Sequence, residues 1–164
     1  MADIKSGAPS LYLREEELRK GTELLYFAYR DFIAGPDDAL DQYGFGRAHH
    51  RVLHFIGRKP GLPVAELLSL LSITKQSLSR VLSTLVEEDY VRQEQGTKDR
   101  RQRLLHLTEK GRALEAEVAE IQRRKLARAY REAGADAVAG FWRVLAGLID
   151  DSHREEIEQF IDLS

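Results

Sequence analysis

Residues 74 to 107, "TKQSLSRVLSTLVEEDYVRQEQGTKDRRQRLLHL", constrain the fold more than any other stretch of this chain. Leu78, Val81, Leu82, Leu85 and Val86 recur at i, i+3, i+4, i+7 and i+8, the spacing of one buried face of a helix over 75–89. Thr74 stands where a helix N-cap is expected. Behind that helix, "YVRQEQ" and "RLLHL" alternate in the two-residue period of strands, which predicts an antiparallel hairpin. Its connecting loop holds Lys98, Arg100 and Arg101, and Arg103 follows at its end. A loop that repels itself this strongly needs an anionic partner or open solvent. The opposite face of the helix carries Lys75, Gln76, Ser77, Ser79, Arg80 and Ser83, short to medium hydrogen-bonding groups rather than a Glu/Lys mixture.

Charge is distributed to match. The net charge is −2, yet residues 43–112 hold 13 Lys+Arg against 7 Asp+Glu, and the remainder 12 against 20. A basic middle between acidic ends fits a polyanion that meets only the middle. With 164 residues, 43% hydrophobic and 32% charged, the chain suits one compact domain plus an association element. No apolar run reaches membrane-spanning length, and "MADIKSGAPS" lacks the core of a secretory signal, so the cytoplasm is the expected compartment. The absence of cysteine excludes disulfides, thiolate metal sites and thiol redox sensing.

Upstream, residues 11–33 carry Leu11, Leu18, Leu25 and Phe32 at seven-residue intervals, widened by Leu24, Phe27 and Ala28, which predicts a helix. "AGPDDALDQYG" is expected to break it at Gly35, Pro36 and Gly44. A second helix is expected over 46–57, and a third begins with Pro63 in its first turn. Thr108 should cap a long helix ending near Gly134, and residues 136–163 read as a further amphipathic stretch. The order helix, helix, turn, helix, hairpin is that of a winged helix-turn-helix. The helix over 75–89 can enter a major groove, and the hairpin tip can reach the adjacent minor groove or its phosphates.

"RVL" at 51–53, "ITKQSLSRVLSTLVEEDYV" at 73–91, "DRR" at 99–101 and "LTEKG" at 107–111 resemble the MarR family of bacterial transcription regulators. The resemblance spans about 45–111. It implies a mostly α fold with a small β-hairpin wing. The expected divisions are a flexible N-terminus at 1–10, an N-terminal dimerisation helix and connection at 11–42, a winged helix-turn-helix domain at 43–111, and C-terminal dimerisation helices at 112–164. It further implies a homodimer that reads a pseudo-palindromic operator in double-stranded DNA, generally as a repressor. Lys75, Gln76, Ser77, Ser79 and Arg80 would face the major groove and Lys98, Arg100 and Arg101 the backbone and minor groove. Asp99 would brace the wing by an ion pair to a basic side chain. "EEDYV" departs from the family's usual glycine, so Asp89 has to make the turn.

Other residues invite chemistry. Tyr26, Tyr29, Phe32, Tyr43, Phe45, His49, His50 and Phe55 concentrate in the first two helices. Plain core packing accounts for them at least as well as a pocket for a small-molecule effector between the dimerisation and winged parts. His50 and His54 are spaced i, i+4 beside His49, a pattern that can hold a metal or haem but more often packs. Arg51 is expected in a structural ion pair and Arg103 at the wing's base. "SITK" lacks the companion motifs of an acyl-transfer enzyme, and "GFGRAH" lacks the strand and third glycine of a dinucleotide site. No enzyme and no cofactor are expected. The rival to a DNA-binding regulator is a winged-helix module for a protein partner, which would bind DNA weakly and without sequence preference.

Overall fold

The computed structural model describes residues 10–161. The expected flexible N-terminus, Ser10 apart, lies outside those residues. A short 3-10 turn, Leu11–Leu13, precedes α1 (Glu15–Asp41), so the helix expected from residue 11 starts four residues later. It also runs straight through Gly35 and Pro36, where a break was expected. Packing against α5 (Glu109–Ala133) outweighs the local breakers. Pro36 is buried, and a Cβ on Gly35 would come within 2.7 Å of Ile121 Cγ2, so glycine lets the two helices approach closely. The helix stops only before Gly44, whose φ of 73° is left-handed.

Next come α2 (Arg47–Arg58), β1 (Leu62–Pro63), α3 (Val64–Leu71) and α4 (Lys75–Glu87). Pro63 sits one residue outside α3, and β1 pairs Leu62 with Leu105 and Pro63 with Leu104. The expected hairpin, β2 (Val91–Gln95) and β3 (Arg103–Leu107), is therefore part of a three-stranded antiparallel sheet in the order β1-β3-β2. Gly61 N–H donates to Leu105 O at 2.8 Å and extends that pairing.

Thr74 caps α4 by accepting from Ser77 N–H at 3.1 Å, and Thr108 caps α5 by accepting from Gly111 N–H at 3.0 Å. The exit from α4 is a Schellman closure: Tyr90 N–H donates to Leu85 O and Asp89 N–H to Val86 O. Asp89 holds the left-handed position at φ 63°, so an aspartate does stand in for the family's glycine. Leu78, Val81, Leu82 and Leu85 enter the core with Val52, Leu53, Ile56, Leu67, Leu105 and Leu107, whereas Val86 stays on the exposed edge.

The C-terminal stretch is two helices, α6 (Ala135–Gly147) and α7 (Asp151–Ile161), rather than one. Arg154 closes the corner by donating to Ala146 O and Ile149 O. No residue of α6 or α7 is buried, and residues 21–30 of α1 are exposed throughout. Leu24, Tyr26 and Phe27 on α1, Trp142 and Val144 on α6, and Leu148 just after it are each more than half exposed.

Candidate nucleic-acid interface

Burying one face of α4 turns Lys75, Gln76, Ser77, Ser79 and Arg80 outward, all five exposed. The helix is 13 residues long, which at about 1.5 Å per residue gives the roughly 20 Å rod that fits a major groove. Ser77 belongs both to the cap and to this face, since its hydroxyl lies 2.9 Å from that of Thr74. That contact fixes where the hydroxyl stands without removing it from solvent.

The wing tip is tightly built although it lies at the surface. Gly96 N–H donates to Gln102 O at 2.9 Å, and Gln102 N–H donates back to Asp99 O at 3.1 Å. Asp99 Oδ1 accepts from Arg101 N–H at 2.9 Å and lies 3.5 Å from Arg101 Nε. The basic side chain that Asp99 holds is therefore Arg101 itself, whose own side chain is 95% exposed. Gly96 is obligatory, because a Cβ there would lie 2.4 Å from Asp99 O. In the sequence Gln95 reads as one more polar strand residue. In the structure its Nε2 donates to Arg100 O at 2.9 Å, across the tip.

Lys75, Arg80, Lys98, Arg100 and Arg103 have no carboxylate within ion-pair distance among the described residues, whereas Arg47, Lys59 and Arg92 are paired with Asp37, Glu66 and Glu94. Unpaired, exposed cations on one helix face and one adjoining loop hold a charge that only an external anion can neutralise. Arg103 is at the wing's base opposite Gln95, as expected, but without an acid. Arg51 is exposed and bonds the Tyr29 hydroxyl, so the expected buried ion pair is replaced by a neutral contact that ties α2 to α1.

The histidines divide by role. His49 Nδ1 accepts from Gly46 N–H at 3.1 Å and its ring stacks on Phe45, so it closes the first turn of α2. His54 Nδ1 faces Glu115 Oε1 on α5 at 4.0 Å. Burial holds His49, His50 and His54 below the usual imidazole range, helped at His50 by His54 and Arg51 and at His54 by Arg58. Burial likewise pushes the Glu115 carboxyl up. Asp37 Oδ1 is buried without a hydrogen-bond partner. Among the described residues no three His, Asp or Glu side chains converge on a point where a metal could sit.

Among the described residues the aromatics divide between different surroundings. Tyr26 and Tyr29 are exposed on α1, Phe45 is in the core against Tyr90, and Tyr43 stacks outside Phe45. Phe55 instead meets Phe160 of α7 with ring centroids 5.1 Å apart. Beside that pair is an open cleft of about 300 Å3 lined by Arg58, Lys59, Glu66, Glu156, Gln159 and Phe160.

The MarR family profile matches residues 43–102, the segment from the loop before α2 to the wing. Over 166 aligned residues the chain is 51% identical to the HTH-type transcriptional regulator PetP of Rhodobacter capsulatus, covering 99% of each. A crystal structure of MarR superposes with a TM-score of 0.64 at 23% identity, covering 88% of this chain and 97% of that one. Streptococcus pneumoniae FabT in complex with DNA superposes with a TM-score of 0.68 at 18% identity, covering 80% and 94%. These two likenesses concern the fold: helices flanking a winged helix-turn-helix.

Proposed function

The chain belongs to the MarR family of transcription regulators, and from that premise we propose that it is a homodimer that binds a pseudo-palindromic operator and represses transcription. In this reading α4 of each protomer enters a major groove with Lys75, Gln76, Ser77, Ser79 and Arg80 towards the bases. The wing follows into the adjacent minor groove with Arg101, while Lys98 and Arg100 neutralise phosphate. The observation that supports it best is that Lys75 and Arg80 on α4 and Lys98 and Arg100 on the adjoining wing are exposed together, with no carboxylate within ion-pair distance among the described residues. FabT, a fold neighbour, is known in complex with DNA, which agrees with that use of the fold.

The second protomer is inferred from α1 and α6. Helices with Leu24, Tyr26, Phe27, Trp142 and Val144 exposed, with Leu148 exposed just after α6 and with no buried residue on α6, are not stable partners for water. A second copy meeting these faces would bury them and set the distance between the two recognition helices. A small-molecule effector acts in this reading by preferring one such distance over another. The regulator works in the cytoplasm, where the chromosome is.

Fragment capture tests the proposal. Purified protein is mixed with sheared host DNA at about physiological salt and the bound fragments are sequenced. Recovery of an inverted repeat with half-sites about one helical turn apart is expected, with transcription from the adjoining promoter falling as protein is added. Recovery of random fragments would favour the protein-interaction module instead.

A further inference from the structure

The wing raises a physical problem that its cations alone do not solve. Lys98, Arg100 and Arg101 repel one another on a seven-residue tip between β2 and β3, and such a loop favours splaying apart in solution. A splayed tip would have to be ordered at the moment of binding, and each long side chain ordered then reduces affinity. The tip is nevertheless closed at both levels. Its backbone is stitched by the Gly96–Gln102 and Gln102–Asp99 bonds, and Asp99 secures the amide of Arg101. Asp99 thus holds the N–H side of the peptide between Arg100 and Arg101, and its carbonyl side is held by one further group, the side chain of Gln95, which donates to Arg100 O at 2.9 Å.

We infer that Gln95 is a positioning residue of the DNA-binding wing, fixing the Arg100–Arg101 peptide so that both arginines are presented before DNA arrives. The inference rests on the DNA-binding reading above. Gln95 occupies the last position of β2, directly opposite Arg103 in the sheet register. Its backbone is thus anchored to the sheet while its amide reaches over the tip. Asp99 governs Arg101 from within the loop and can move with it. Gln95 governs the same segment from outside, and so relates the loop to the body of the domain. A neutral amide suits this post: an acid would cancel the wing's charge, and a longer cation would add to the repulsion.

Gln95→Met tests the role, since methionine keeps the length and apolar stem and removes the amide, including the Nε2 donor to Arg100 O. The variant should fold as before, with a melting temperature within about 2 °C of the unaltered protein. Amide hydrogen exchange over 96–102 in the free protein should rise several-fold. Affinity for a captured operator duplex, or for a random duplex at about 50 mM salt if capture returns none, should fall about threefold to tenfold, as one hydrogen bond allows. The distinguishing readout is a double-mutant cycle: in a background carrying Arg100→Ala and Arg101→Ala the same substitution should change affinity less than twofold.

Unchanged exchange would overturn the inference, because the tip would then be ordered without Gln95. Faster exchange with unchanged affinity would overturn it too, since order would not matter to binding. A loss of equal size in the arginine-free background would show a role unrelated to the arginines. Absence of duplex binding by the unaltered protein at low salt is a different result, which overturns the DNA-binding reading itself, while the exchange comparison still decides whether Gln95 orders the tip.

Discussion

Arg101 and Ser77 would meet the same ligand with different consequences, because one offers charge and the other a fixed hydroxyl. Arg101 is almost wholly exposed and leans on Asp99 through a 3.5 Å contact, a weak hold that a phosphate or a narrow minor groove can outcompete. Replacing it by Ala should weaken operator binding by about 1–3 kcal/mol, with little dependence on the bases under α4. Ser77→Ala keeps the amide that Thr74 caps and removes only the hydroxyl, so stability should hardly change. Titration against duplexes that differ at single half-site positions should show an altered preference; equal losses on every duplex would mean α4 only positions the protein. The imidazoles of α2 make a separate residue-scale statement. His49, His50 and His54 all bind protons more weakly folded than unfolded, so as pH drops through about 6.5 the unfolded chain takes up protons the folded one refuses. Stability should therefore fall from about pH 7 towards the depressed folded values, and His50→Gln with His54→Gln should flatten that slope in a series of melting curves. Glu115 acts with the opposite sign, since a raised carboxyl favours the folded state as pH falls towards the usual carboxylate range. A melting temperature that rises on acidification to about pH 6 would sink the account.

At the scale of elements, α1 is the instructive case, because Gly35 and Pro36 read as a break and sit inside a continuous helix. Gly35 costs the helix about 1 kcal/mol relative to Ala, and the close approach of Ile121 explains why that cost is tolerated. Gly35→Ala should destabilise by about 1–2 kcal/mol, as a β-branched neighbour 2.7 Å away has little room to give. In an Ile121→Ala background the same change should become neutral or stabilising by up to about 1 kcal/mol, as propensity alone dictates. Denaturant melts of the four proteins decide it, and loss of the same size in both backgrounds would place the strain elsewhere. The case also shows what the sequence could express. Thr74, Thr108 and the apolar positions of α4 obey local rules, so caps, the core face of α4 and the β2–β3 pairing were legible from periodicity. Pairing of β1 was not, because two residues, Leu62 and Pro63, carry no period and depend on β3 being in place. Continuity of α1 through Pro36 and the corner between α6 and α7 were likewise hidden, being set by Ile121 and Arg154, far from them in sequence or across a turn. In the interface, the cations were readable and their fastenings were not: Gln95 acquires meaning only when the hairpin brings it to Arg100 O.

For the whole molecule, the segregation of charge sets how the proposed dimer must lie on DNA. Residues 43–112 carry the basic surplus and the flanking helices the acidic one, so phosphate attracts the winged domains and repels the dimerising ends. Two winged domains joined in that way approach one face of the duplex together. Each protomer brings Lys75, Arg80, Lys98, Arg100 and Arg101 into or beside the grooves, where together they offset the charge of about four phosphates whether they touch base edges or backbone. Eight neutralised phosphates give a slope of log affinity against log salt near −7, where a single protomer would give about half that. Titrations of a captured operator between about 50 and 200 mM salt measure the slope directly. Tyr26→Asp, on the exposed face of α1, places a charge where the second copy is expected and should yield a monomer by sedimentation. That monomer should show the half slope and a large loss of affinity, because both half-sites no longer bind as one unit. A slope near −7 that survives conversion to a monomer would place all eight contacts on one chain and remove the need for a dimer. A slope near half that value in the intact protein would show that only one wing and one α4 engage the duplex.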